Sequence, residues 1–257
     1  MSDYMEQRRK RKLNPVAKVV QAVTGKSVFE AKMPAAADVY GGEWPWDVVQ
    51  FNPPVKIAIT RAHYGPYVKD DSVIPLRAQS DAAGIACGYY GFLLPNNIQT
   101  QIDLYLHQIA KAGGLQKLPP ICDIELLREK KPKKPPKDWE HNHPVGRQWA
   151  SQVKAYLDGQ QEGTGVQPMI YCSKETFATL CVNGTPPEWA EDYWFWVSWP
   201  PSWPYINLNK TLPRSMWPAG CKKVAMWQYW FFGRNCGFEP NDLNLITPEF
   251  MDHLGLQ

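Results

Sequence analysis

From residue 35 onward the chain alternates short apolar runs with stretches of helical spacing. AAADVY (35–40), VKIAIT (55–60), GIACGYYGF (84–92) and LPPICDIE (118–125) read as strands bounded by turn-forming residues. Between the third and fourth, Ile98, Ile102, Tyr105, Leu106 and Ile109 make one helical stripe that stops at Gly113 and Gly114. After the fourth, Val145, Trp149, Val153, Tyr156 and Leu157 make another. Strand–helix alternation of this kind predicts a parallel sheet covered by helices. Past residue 167 the rhythm changes. VQPMIYCS (166–173) precedes one more helix, KETFATLCVNG, but DYWFWVSW (192–199), KVAMWQYWFF (223–232) and NDLNLI (241–246) are joined by loops rich in Pro and Trp. The pattern predicts an α/β fold, an irregular TIM-like β/α barrel of about eight strands and about five helices with a helix-poor C-terminal third.

Charge divides the chain differently. Residues 1–33 hold eight Lys/Arg against three acids, whereas the remainder holds 20 basic and 22 acidic residues. The division suggests a basic N-terminal arm at 1–33 and a barrel at 34–257. Within the arm Asn14 and Pro15 suit a helix start, Gly25 suits its stop, and Val16, Val19, Val20 and Val23 form one apolar stripe. A helix of about ten residues needs a surface to pack on. The expected surface is another protein, with docking on the barrel itself as the alternative and nucleic-acid contact through QRRKRK as a lesser one. A further basic, proline-rich stretch at 126–143 follows the fourth strand and reads as a solvated loop or a rim that attracts an anionic polymer. No run is long and apolar enough for a membrane span, and the N-terminus carries charge where a secretory leader needs apolar residues. The expectation is synthesis in the cytoplasm without a signal peptide. Cys87, Cys122, Cys172, Cys181, Cys221 and Cys236 show neither CxxC pairing nor metal-ligand spacing, so they read as buried thiols, and no metal or cofactor is expected.

Candidate chemistry begins at CDIE. Residues two apart on a strand share a face, about 6.6 Å apart at roughly 3.3 Å per residue, so Asp123 and Glu125 point the same way at the end of the fourth strand. Neighbouring carboxylates raise one another's pKa, and one can then stay protonated and act as a general acid toward a glycosidic oxygen. Asp38 ends the first strand and Asp242 the last. Closure makes those strands neighbours, which brings four acids to one mouth. The twelve Trp and twelve Tyr add flat apolar faces suited to sugar rings.

ADVY, the YVKDD after Gly65, AGIACGYYGFLLP, CDIE, PMIYCS, FWVSW, MWQY and NDLN occur in an order and spacing that resembles family 25 glycoside hydrolases, the lysozymes of the irregular β/α barrel type. The resemblance covers residues 34 to about 250. It implies cleavage of the β-1,4 bond between N-acetylmuramic acid and N-acetylglucosamine in peptidoglycan. It also implies that Glu125 is the general acid and that Asp123 either stabilises the oxocarbenium-like transition state or orients the N-acetyl group, while Asp38 and Asp242 flank the pair. Tyr90, Tyr171, Trp196, Trp227 and Gln228 match positions lining the family's groove, and Tyr64 joins them in place of the acid usual there. The chain departs from the pattern at Gly91, where the family has His, and at Tyr40-Gly41, where it has Ser-His; with Tyr64, these replacements are expected to line the mouth. The favoured reading is a phage-encoded muramidase, virion-associated through its arm. A catalytically altered barrel serving as a structural or glycan-binding component is the alternative.

Overall fold

A computed structural model describes residues 35–39, 55–125, 145–199, 212–233 and 241–256. The expected arm helix, Tyr40-Gly41 and the basic stretch at 126–143 lie outside these residues. Eight strands close a barrel: β1 (Ala35–Val39), β2 (Ile57–Tyr64), β4 (Ala86–Phe92), β5 (Ile121–Asp123), β6 (Met169–Cys172), β7 (Trp194–Ser198), β8 (Lys223–Gly233) and β9 (Asn241–Ile246). A short β3 (Val68–Lys69) folds back on the end of β2. Neighbours follow the order β1-β9-β8-β7-β6-β5-β4-β2, and the pairing of β1 with β2 completes the ring. Within the ring every pairing is parallel except those of β9, which runs antiparallel to both β8 and β1.

The parallel strands are apolar on both faces because both faces are covered. Inside the ring, Ile57, Ile59, Ile121, Met169, Met226 and Ile246 fill one end, which Phe250 and Met251 of α5 (Pro248–Leu254) plug. Outside it lie α1 (Val73–Ala83), α2 (Ile98–Lys111) and α3 (Arg147–Thr164). Val73, Leu76, Tyr105 and Ile109 from the first two helices cover Ala58, Ala62, Cys87 and Tyr89. Trp149, Val153, Tyr156 and Leu157 of α3 cover Cys122, Ile170 and Cys172. The short α4 (Lys174–Ala178) starts where the Ser173 hydroxyl accepts a hydrogen bond from the Thr176 amide. In α5, Thr247 caps Phe250 in the same way, with Pro248 at the first helical position.

Beyond α4 the described connections carry only two 3-10 turns, Glu188–Asp192 and Arg214–Met216, before α5, which is the helix-poor third read from the sequence. Two expectations need correction. Val145 precedes α3 and is 67% exposed, because the stripe's first member lies beyond the helix start at Gly146. LPPICDIE supplies only three strand residues, since Pro119 and Pro120 lack the amide hydrogens a ladder requires. Cys87, Cys122, Cys172, Cys181 and Cys221 are free thiols, all buried except the partly covered Cys181.

Candidate active site

The end of the barrel opposite α5 is polar. Asp38, Tyr90, Asp123, Glu125, Tyr171, Trp196, Gln228 and Asp242 line one small cavity there, with a volume of about 60 Å³. Seven strands contribute, and register explains why they meet. Asp123 is paired with Tyr171, Tyr171 with Trp196, and Asp38 with Asp242, so neighbouring strands present these side chains at nearly one level. Glu125 follows β5 by two residues and stands at the exposed lip.

Two amides organise the acids. The Tyr171 hydroxyl donates to Gln228 Oε1 at 2.5 Å, which fixes the amide so that Nε2 donates to Asp38 Oδ1 at 3.3 Å and to Asp242 Oδ2 at 3.1 Å. Trp196 Nε1 donates to Asn244 Oδ1 at 2.7 Å, and Asn244 Nδ2 then donates to Asp38 Oδ1 at 2.6 Å. The Tyr171 and Trp196 rings meet edge to face at 4.6 Å between centroids. Each amide orientation is thus set by an aromatic donor two strands away across the mouth, and Asp38 is held by two strands at once.

Asp123 differs: its Oδ1 is buried and has no hydrogen-bond partner. Burial raises its pKa well above the usual carboxylate range, Glu125 and Asp38 add repulsion, and Arg61 opposes them. Asp38 is pushed up to about 7 by burial, against the lowering effect of the Asn244 and Gln228 hydrogen bonds, with Glu125 raising it further. Burial also raises Glu125. Its surface exposure and that direction pull against each other: the carboxyl stands in a concave mouth yet touches water, which limits the shift without reversing it. The cluster therefore holds protons that isolated acids would have lost.

Not every expected residue joins this cavity. Trp227 is a correction: Gln228 faces inward, so the alternating strand turns Trp227 outward, where it packs with Tyr229, Val197 and Leu243, and Nε1 donates to the Trp199 carbonyl. Gly91 is another. It faces the helix layer and not the mouth, because Tyr90 beside it faces in, and a Cβ there would collide with the Tyr156 hydroxyl and His63 Nε2. Tyr64 stands beside the cavity without lining it, stacked on Phe92 with centroids 4.6 Å apart. Asp242 reaches the mouth from the start of its strand, since β9 runs antiparallel, and not from a strand end. Two residues were missed. Asn244 was visible as the same-face neighbour of Asp242 in NDLN. Arg61 pairs with Tyr90 in register and forms an ion pair with Asp70 at 2.5 Å, which no spacing in the sequence announced. Among the described residues no group of His, Cys, Asp and Glu is arranged to hold a metal ion, and no helix is long and apolar enough to cross a membrane.

A closed β/α barrel with four carboxylates and edge-on aromatics at one mouth has the makings of an enzyme that works on carbohydrate. Residues 38–235 match the model of the glycosyl hydrolases family 25, and the chain belongs to that family and is a glycoside hydrolase. Similar solved structures include a family 25 glycosyl hydrolase from Bacillus anthracis (17% identity, TM-score 0.64, covering 90% of this chain and 96% of that one). A bacterial lysozyme from Streptomyces coelicolor is similar at 22% identity and TM-score 0.65, over 88% of this chain and 97% of that one. The catalytic domain of the endolysin ply40 from bacteriophage P40 of Listeria monocytogenes is similar at 15% identity and TM-score 0.60, over 86% and 97%. Among curated protein sequences none matches this chain.

Proposed function

We propose that the chain hydrolyses the β-1,4 bond between N-acetylmuramic acid and N-acetylglucosamine in peptidoglycan. The observation that carries this reading is the buried, unpartnered oxygen of Asp123 beside a cavity walled by three other acids. A buried polar atom without a partner costs about 1–3 kcal/mol, and a substrate that supplies the partner recovers it. The cavity is small and open on one side. It suits a substituent such as an acetamido group, with the ring lying across the mouth above.

In this arrangement Asp123 accepts the acetamido N–H and sets the sugar over Glu125. Glu125, kept protonated by its surroundings, donates its proton to the glycosidic oxygen as the bond to the anomeric carbon breaks and the acetamido carbonyl oxygen closes on that carbon. The Glu125 carboxylate then takes a proton from the water whose oxygen displaces the acetamido oxygen, which yields the free hemiacetal and restores the acid. Asp242, and Asp38 once it has released its proton, are held by Gln228 and Asn244 where they oppose the positive charge that develops on the ring. Wild type is expected to clear a peptidoglycan suspension, and Glu125→Gln to lose about 10² to 10⁴-fold in rate. New reducing ends on N-acetylmuramic acid identify the bond. Equal clearing by both proteins, or reducing ends on the other sugar, contradicts the assignment.

The likeness to a phage endolysin fold and the basic arm support a lytic role in a phage, with residues 1–33 anchoring the enzyme to a particle. Deleting 1–33 is then expected to leave wall cleavage intact and to abolish incorporation into particles. Loss of cleavage would show the arm to be part of the enzyme.

A further inference from the structure

The β2–β3 hairpin rises from the mouth's rim and is fixed more firmly than a two-residue β3 requires. Gly65, at φ +52° in the turn, donates its amide to the Phe92 carbonyl at 2.9 Å, and its own carbonyl accepts from His63 Nδ1 at 2.9 Å. With Nδ1 carrying the proton, His63 Nε2 accepts from the Tyr156 hydroxyl at 2.6 Å, which ties the turn to α3. On the other side Arg61 is paired to Asp70, and the Asp70 amide donates to the Ala62 carbonyl at 3.0 Å. The Arg61 guanidinium lies 5.4 Å from the Tyr64 ring centroid, and the Tyr64 ring is stacked on Phe92. Phe92 pairs in register with Asp123, so this stack adjoins the acid cluster. Tyr67, next to Val68, which faces Tyr64 across the hairpin, is 72% exposed, and Val68 is 41% exposed. The hairpin therefore holds a large exposed aromatic and an apolar neighbour on a pinned turn, and Tyr67 belongs to none of the apolar clusters among the described residues.

We propose that the Tyr64–Tyr67 hairpin is a carbohydrate subsite outside the cleavage cavity, on which the apolar face of a further N-acetyl sugar of the glycan strand stacks. Tyr67 is the contact and Tyr64 the fixed platform beside it. The subsite is continuous with the mouth, and its rigidity limits the ordering cost of binding. It rests on the muramidase reading for the identity of the glycan. The consequence is length selectivity: a strand long enough to span both mouth and hairpin binds more tightly than one that fills the mouth alone.

The test measures binding by calorimetry in the full-length Glu125→Gln protein, which does not consume its ligand, with a chito-oligosaccharide disaccharide and hexasaccharide. The hexasaccharide is expected to bind more tightly, and adding Tyr67→Ala is expected to weaken it by about 10-fold while the disaccharide affinity stays within error. Tyr67→Trp restores the preference, and in the active enzyme Tyr67→Ala raises KM on glycan strands with kcat retained. Because Tyr67 is exposed, its replacement removes no core contact. Equal hexasaccharide affinities with and without Tyr67, in a protein whose parent cleaves peptidoglycan, overturn the subsite alone. Equal weakening of both ligands also overturns it, by moving Tyr67 to the cleavage cavity. A parent that neither binds nor cleaves glycan overturns the muramidase reading together with the subsite.

Discussion

Gln228 does more than any single acid to shape the cavity, although it carries no charge. Its carbonyl is taken by Tyr171, so its two amide hydrogens are left for Asp38 and Asp242, and three strands are tied through one side chain. Gln228→Ala is expected to lower kcat on peptidoglycan by about 100-fold through misplaced acids, with KM changed less and with the barrel still folded by circular dichroism. An unchanged kcat would mean that the acids hold their places without it. Residues of this kind were partly legible. The four acids and Gln228 could be placed because strand alternation and the family pattern fix which side chains face the mouth. Trp227 could not, because its neighbour in the same motif occupies the inward face and an aromatic suits either side of a barrel wall. Gly91 was misread for a related reason. Its replacement of a larger residue looks like a change at the mouth, but the space it vacates lies outside the wall and is filled by His63 and Tyr156.

Elements were legible to the extent that their periodicity was long. The stripe of α2 is buried at Ile102, Tyr105 and Ile109 as read, and the body of α3 is buried at Trp149, Val153, Tyr156 and Leu157. The direction of β9 was not legible, since alternation is the same read either way, and only the connection from β8 decides it. Also hidden was the contact between α2 and α3, where Gly159 and Gly163 leave room for Ile102 and Leu106. The seating of α3 yields a prediction at this scale. Tyr156 donates to a histidine nitrogen that has no access to water, so Tyr156→Phe leaves a buried acceptor unpaired with almost no change of shape. A loss of about 1–3 kcal/mol is expected in urea unfolding, with the slope of the transition unchanged. A neutral result would place no weight on the link between α3 and the hairpin.

At the scale of the whole molecule, two buried groups bend stability with pH in opposite directions. His63 is pulled down to about 4 by burial, aided by Arg61 and opposed by the Gly65 hydrogen bond, against 6.5 in a free side chain. Between those values the unfolded chain binds the proton and the folded one does not, so the stability His63 contributes is present above about pH 6.5 and is lost as pH falls toward 4. Asp38 runs the other way. Its folded value of about 7 lies above the ordinary 3.8, so the folded chain binds the extra proton, and stability is lost as pH rises from 3.8 through 7. From pH 4 to 6.5 the two slopes oppose each other. Asp38→Asn removes one of them while keeping an oxygen to accept the Asn244 hydrogen bond. Relative to wild type, the variant is expected to gain little at pH 4, progressively more toward pH 7, and a constant amount above, with an upper bound of about 4 kcal/mol. Thermal melts at pH 4, 6 and 8 measure the difference, and a gap that does not widen with pH contradicts the burial of an acid whose proton the fold retains. The same variant is expected to lose peptidoglycan cleavage, because an amide, unlike the carboxyl, has no acidic proton to release as positive charge develops on the reacting sugar. Stability gained together with activity lost would show that the barrel tolerates Asp38 at its mouth for chemistry, at a cost to the fold that grows toward neutral pH.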